Sequence, residues 1–358
     1  MYSDSNSSDD IRNRMLDDVP SDIDKSEGSF IYDALSPASK EIGQTYNIAD
    51  DILDRTSPFT AAGTDLENIT NAVGITRKQG EKATTDILIE GVPDTVVLSG
   101  TLVQTEEGLE YETLNDIVLT DGQATVAVQA RDVGSNYNVP ANAINQLPVQ
   151  ISGVTSITNP ESVNNGYDIE DDDSLRGRYF ERMQTPATSG NKYQYMSWAK
   201  EVTGVGDAKS FPLWNGPGTV KIVIINSNKR AADTELVQKV KDYIDPQPER
   251  NGEGQAPIGA ALTVVSAIEK AINITAKVIL ANGYTIQQVQ DNFTEVVGKY
   301  LSDIAFNSTY VSYAKIGSLL LSTAGIVDYD NLTLNTGTAN VALQDEEIPV
   351  PGTISLGV

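Results

Sequence analysis

Between Asn159 and Val220 the chain carries a dense run of helix starts, turns and glycines, and nothing else in it limits the possible folds so tightly. The run reads Asn159-Pro160, Gly166-Tyr167-Asp168-Ile169-Glu170-Asp171 and Leu175-Arg176-Gly177-Arg178. It continues as Gly190-Asn191, Trp198-Ala199, Val202, Gly204-Val205-Gly206 and Gly216-Pro217-Gly218-Thr219-Val220. Glycine accepts positive φ and close backbone approach, and Asp or Asn ahead of an apolar stripe satisfies the free N–H groups of a helix start. The run predicts two helices that turn sharply into a β element. Gly190, Asn191, Trp198, Gly204, Gly206, Gly216 and Gly218 are expected to form this structural junction. None of these residues makes a catalytic set.

Upstream the periodicity is helical. Ile11, Met15, Leu16 and Val19 suggest a short helix stopping at Pro20. Ile31, Leu35, Ala38, Ile42, Thr45, Ala49 and Ile52 alternate spacings of four and three, a heptad-like seam. Its small members make an isolated coiled coil a poor fit. Pro37 predicts a break, with Ser36 as N-cap and Pro37 at the first helical position. Leu66, Ile69 and Val73 give a third helix closed by Gly74. Two readings stay open: these helices pack on their own domain, or they bundle with a partner's helices through Ile31, Leu35, Ala38, Ile42, Ala49 and Ile52.

From Ala83 to Thr158 the pattern is that of strands. Thr85–Ile89 and Thr95–Leu98 are β-branched runs, Asp121-Gly122 marks a hairpin between Asp116–Thr120 and Gln123–Arg131, and Val126, Val128 and Ala130 alternate with polar or small residues. After the junction come two strand–helix–strand units. Thr219–Ile225 is a near-continuous apolar strand, Asp233–Ile244 an amphipathic helix and Ala260–Ile268 a returning strand. Ile272–Leu280, the helices Ile286–Ile304 and Tyr313–Leu321, and the strands Ile326–Leu334 and Ile348–Leu356 make the second unit. The expected fold is α+β and multidomain. It has an N-terminal helical arm (1–78), an antiparallel β domain (79–165), a helical junction with a first α/β dimerisation domain (166–270), and a second α/β domain (271–358), both of the split βαβ kind.

The chemistry is sparse. The 358 residues contain no cysteine and no histidine, which removes disulfides, thiolate metal sites and the commonest general base. A formal charge of -25 repels nucleic acid and anionic membranes, so neither is an expected partner. Asp171, Asp172 and Asp173 are consecutive, unlike the alternating ligands of a calcium loop, and fit a helix start better. Gly204-Val205-Gly206 follows a helix and Gly216-Pro217-Gly218 precedes a strand, the reverse of a phosphate-binding order. No pair among the 50 acids stands out as a glycosidase dyad, and aromatic residues are few. No metal, cofactor or enzymatic activity is expected. A glycan hydrolase remains a minor alternative. A cell-surface binding or adhesin-like module is the main one, prompted by the acidic, Thr-rich β content. It would call for a signal peptide or anchor, and Met1-Tyr2-Ser3-Asp4 does not read as one.

In their order and spacing the motifs resemble the baseplate J-like family of contractile phage tails and phage-tail-like particles. This is the family of the phage Mu baseplate protein and of the wedge protein in T4-type baseplates, and the Gram-positive prophage branch is the most similar. The resemblance rests on Gly28-Ser29, Gly63 with Leu66, Gly74-Ile75-Thr76-Arg77, Gly100-Thr101, Tyr111, Gly134, Asn138-Val139, Gly153-Val154 and the whole Asn159–Val220 run. One departure is Asn165-Gly166-Tyr167, where a double glycine would be expected. The resemblance implies a structural wedge component that pairs as two copies with a second wedge protein through N-terminal helices. It implies further contacts with a sheath-initiator or lysozyme-like baseplate protein and with neighbouring wedges in a sixfold ring, whose expansion passes a trigger to the sheath. The expected location is the particle's tail baseplate, assembled in the bacterial cytoplasm.

Overall fold

The computed structural model describes every residue except Pro186. It divides into two units, Met1–Arg77 with Glu170–Gln184, and Lys78–Ile169 with Thr185–Val358. The architecture is α+β and multidomain, as the periodicities predict.

The first unit is helical. Its elements are α1 (Ser8–Asp17), α2 (Phe30–Thr56), α3 (Gly63–Asn71) and, much later in the chain, α4 (Asp172–Gln184). Ser7 and Asp10 form a reciprocal capping box at the start of α1. Ser29 caps α2 by accepting from the Tyr32 N–H. The expected break at Pro37 is absent, and α2 runs through it without interruption. Proline removes one ladder donor and crowds the carbonyl four residues back. Here the Ser36 hydroxyl donates to Tyr32 O at 2.7 Å and the Ser39 hydroxyl to Ser36 O at 2.9 Å, which supplies donors in the turn where the ladder is interrupted. Asp171 starts α4 by accepting from the Ser174 N–H at 2.7 Å.

The second unit begins with a six-stranded antiparallel sheet. Its strands are β1 (Lys82–Gly91), β3 (Leu102–Thr105), β4 (Glu110–Thr113), β6 (Gln123–Val133), β7 (Ile144–Gln146) and β8 (Val154–Thr158), in the order β7-β3-β4-β6-β1-β8. A separate ribbon pairs β2 (Val96–Val97) with β5 (Ile117–Val118). Asp121 and Gly122 take φ of +54° and +83°, the signature of a type I′ turn. The strands joined there diverge, however: β6 pairs with β1 and β4, whereas β5 pairs with β2. The sheet curls until its two edges meet at Asn159. This fully buried side chain accepts from the Ile144 N–H at 2.8 Å and donates to Pro140 O and Glu161 O. Ile87, Val103, Tyr111, Val126, Val128, Ala130 and Ile157 fill the interior.

Two α/β layers follow. The first contains α5 (Lys192–Glu201), β9 (Val205–Pro212), β10 (Thr219–Asn226), α6 (Thr234–Ile244) and β11 (Ala261–Ser266), with sheet order β11-β10-β9. The β10 and β11 strands are parallel and α6 joins them, a βαβ unit. In the second, β12 (Ile268–Leu280) lies between β14 (Ile326–Leu334) and β16 (Glu347–Gly357). The helices α7 (Ile286–Ile304) and α8 (Tyr313–Ser322) cover one face, and a small ribbon joins β13 (Tyr310–Val311) to β15 (Val341–Ala342). The apolar reading of β10 has a specific cause. Ile222 and Ile224 enter the core under α5 and α6, whereas Val223 and Ile225 point the other way into a core shared with Ala305, Phe306, Ile348 and Val350. A strand buried on both faces loses its polar alternation.

Candidate partner interface

The helix α2 has two faces of different character. Ser39, Gly43 and Asp50 are buried, and they recur along the side that α1 covers. At Gly43 a Cβ would lie 3.1 Å from the backbone N of Ser8, so α1 can approach only because that position is bare. The Asp50 carboxylate accepts from the Tyr2 and Ser3 N–H groups at 2.7 and 2.8 Å, which ties the chain start to the far end of α2. Hydrogen bonding from Ser3 holds its pKa below the ordinary 3.8.

The seam read from the sequence lies about 100° around the helix from this covered side, at about 100° per residue. Along it Ile31, Leu35 and Ala49 are half-buried, and Ala38, Ile42, Thr45 and Ile52 are exposed. Ile42 and Ile52 are 38% and 54% exposed, and Ile48, on the same helix but off the seam, is 57% exposed. Leu53 joins them at 48%. The helix therefore carries a filled stripe of small residues and an adjacent seam that is covered in part at Ile31, Leu35 and Ala49 and exposed at Ile42 and Ile52. The sequence points to the second stripe; the first it hides, because serine, glycine and aspartate do not read as core.

A second constellation, within the same unit, ties α4 to α3 and the loops beside it. Arg77 donates to Glu67 Oε1 at 2.6 Å, to Glu170 O at 2.6 Å and to Asp172 Oδ1 at 2.5 Å. Asp172 also accepts from the Gly63 N–H at 2.9 Å. That backbone bond, then Arg77, holds the Asp172 carboxyl below its ordinary 3.8. Arg176 reaches Pro58 O and Ala61 O, and Arg178 reaches Thr76 O. Leu175 is fully buried beside Ala61 and Leu66. The acidic and basic motif residues at 170–178 thus bind one helix to loops about a hundred residues earlier in the chain. Asp171 caps, Asp172 pairs with Arg77 and Asp173 pairs with Arg176.

Within the second unit the junction glycines divide into two kinds. Gly190 (φ +71°) and Gly204 (φ +90°) sit in packed places, where a Cβ would meet Pro257 at 2.6 Å and the Tyr167 ring at 2.8 Å. Gly206 has ordinary φ, yet its Cβ would fall 2.3 Å from Asn226 O. Gly216 (φ +94°) and Gly218 (φ +77°) turn the β9–β10 hairpin in open space. Asn191 caps α5 by accepting from the Gln194 N–H, and Trp198 packs edge-on against Tyr195, centroids 5.1 Å apart. The chain leaves the β sheet through reciprocal clamps. Asn138 exchanges two hydrogen bonds with Gly166, Asn165 two with Thr84, and Asp168 accepts from the Ser135 N–H and hydroxyl. Tyr167, which follows, inserts into the core with Trp198 and Leu236. Open polar clefts of about 300, 550 and 730 Å³ meet around Asp233. Part of their charged lining is tied up in the Lys239–Glu81 pair at 3.0 Å and the bidentate Arg230–Glu269 pair at 2.7 and 2.8 Å.

The chain matches three family models in succession: the Baseplate J-like protein barrel domain over residues 86–166, the Baseplate J-like central domain over 187–266 and the Baseplate J-like protein C-terminal domain over 272–357. It is 37% identical over 346 residues to the phage-like element PBSX protein XkdT of Bacillus subtilis, covering 97% of this chain and 96% of that protein. The Mu-like prophage FluMu protein gp47 of Haemophilus influenzae is 29% identical over 287 residues, with 78% of each chain covered. The baseplate protein gp47 of Escherichia phage Mu is 26% identical over 307 residues, covering 83% of this chain and 82% of its own. A chain of the anti-feeding prophage baseplate solved by cryo-EM aligns with 97% of this chain and 98% of its own at 10% identity and a TM-score of 0.38, a likeness too slight to say anything of the fold.

Proposed function

Because the chain belongs to the baseplate J-like family, we propose that it is a structural component of a baseplate wedge in a contractile tail or tail-like particle, and that α2 is where it joins a partner's helices. The observation that carries this reading is the seam of Ile31, Leu35, Ala38, Ile42, Ala49 and Ile52, half-buried at Ile31, Leu35 and Ala49 and exposed at Ala38, Ile42 and Ile52, beside a face that α1 already fills. An amphipathic helix gains most of its stability by burying such a stripe against another element. Full burial of an exposed isoleucine contributes about 1.5–3 kcal/mol, and Ile42 and Ile52, each part-exposed, would supply a share of that on docking. The occupant is a second wedge protein together with a second copy of the chain. The two α/β layers form contacts between neighbouring wedges in a ring around the hub. Change in ring diameter transmits the trigger to the sheath. The chain works through geometry, and no residue in this account performs chemistry.

The test is co-expression of the tail gene cluster with an Ile42→Asp, Ile52→Asp double variant. Both positions are exposed, so the variant should fold and melt like the parent. It should fail to co-purify with the other baseplate proteins. Normal co-purification would sink the proposal.

A further inference from the structure

The β2–β5 ribbon carries a feature that the helical arm does not explain. Val96 and Val118 stand directly opposite one another across the ribbon. The next pair, Val97 and Ile117, turns toward the interior of the sheet, where Val97 is fully buried. Val96 and Val118 are 51% and 48% exposed. Leu98 alternates with buried Val97 and is 61% exposed; Leu114 and Val92, nearby in the same two chain segments, are 44% and 58% exposed. Two exposed valines thus face each other on the ribbon, and three further exposed aliphatics, Leu98, Leu114 and Val92, lie within four residues of it in the two chain segments that form it, whereas isolated exposed aliphatics are the norm on a monomer.

The charged residues that flank them in the chain are acidic. Asp94 lies between Val92 and Val96, Asp116 between Leu114 and Val118, and Asp121 in the turn that follows. Asp94 is fixed by its N–H bond to Leu119 O, and Asp116 accepts from the Ser99 N–H at 2.7 Å. From Ala83 to Ala130 the chain contains Asp86, Glu90, Asp94, Glu106, Glu107, Glu110, Glu112, Asp116 and Asp121 and not one lysine or arginine. A second copy docked on this patch through its own patch would set acid against acid at short range, which is repulsive.

We propose that the outer face of the β2–β5 ribbon docks a different protein, one that presents an aliphatic face rimmed by lysine or arginine. The patch supplies the apolar centre and Asp94, Asp116 and Asp121 the polar rim, the usual division in a specific interface. This contact is separate from the α2 stripe, and it rests on the reading that the chain is built into a baseplate.

A photo-crosslinking amino acid placed at Val96, and separately at Leu98, in the full chain within assembled particles tests it, with exposed Asn145 as the comparison site. The expected result is an adduct at both ribbon positions with a different chain, through a peptide bearing lysine or arginine beside aliphatic residues. Its yield should exceed that at Asn145 at least severalfold and fall when particles assemble in high salt. An adduct with a second copy, an adduct with lipid, or a yield no greater than at Asn145 would overturn it. If the chain is present in particles and the ribbon gives no adduct, this proposal alone fails. If the chain is absent from particles, the baseplate reading fails and takes this one with it.

Discussion

Gly206 and Gly177 make opposite predictions from the same absent atom. A Cβ on Gly206 would meet the backbone oxygen of Asn226 at 2.3 Å, where nothing can move without breaking the β9–β10 pairing. Gly206→Ala should lower stability by about 3 kcal/mol, read as a fall in the unfolding midpoint. Gly177 lies inside α4 with open space where its Cβ would be, so Gly177→Ala should stabilise by about 0.5–1 kcal/mol. The sequence marks both as glycine, and only the neighbours separate them. Titration belongs to this scale too. Asp172 and Glu269 are held below their ordinary 3.8 and 4.5, the first by the Gly63 N–H and then Arg77, the second chiefly by Arg230. A carboxylate with a depressed folded pKa stabilises the fold above its unfolded value and loses that contribution as pH falls through the folded one. Unfolding followed by circular dichroism should be insensitive to pH from 7 to about 5 on their account and should steepen below about 4. Asp172→Asn should flatten that acid limb; an unchanged limb would remove Asp172 from the explanation.

At the scale of the element, adjacent residues on α2 should behave as opposites. Gly43→Leu drives a side chain into the backbone at Ser8 and should detach α1, exposing its amides to fast hydrogen exchange. Ile42→Asp sits on the open stripe and should leave exchange in α1 unchanged. Fast exchange in both variants would mean that the two faces are not distinct. The seam's heptad-like spacing is visible in the sequence, although spacing alone left open whether it packs on its own chain or on a partner. The packed face is not visible, because close helix approach uses small residues that carry no periodic apolar signal. The same limit explains Pro37: a local rule predicts a break, while the rest of a well-formed helix carries the proline. Proline cannot reach a φ of +90°, so Gly204→Pro would report on folding rather than on a stiffened junction. Gly218→Ala, in open space with φ +77°, confines the strain to the hairpin turn and is the better probe of that turn.

For the whole molecule, long-range partners decide what the sequence could not. The strands and helices from β10 onward followed largely from alternating periodicities, whereas β9 and the short β13–β15 ribbon did not. The return of α4 to the N-terminal helices did not, since its partners, such as Arg77 for Asp172, lie 95 residues away. The shared core of Val223, Ile225, Phe306, Ile348 and Val350 likewise appears in the sequence only as an unbroken apolar strand. That core predicts that the two α/β layers melt together. Phe306→Ala should cost about 3 kcal/mol and lower a single calorimetric transition covering both, whereas two separate transitions would show that the layers are independent. Whether α2 joins a partner's helices is decided by a cryo-EM map of the assembled baseplate. The account predicts a helix of another chain lying along Ile31, Leu35, Ala38, Ile42, Ala49 and Ile52 within side-chain contact. A map in which that stripe faces solvent, or is covered by its own chain, would contradict it.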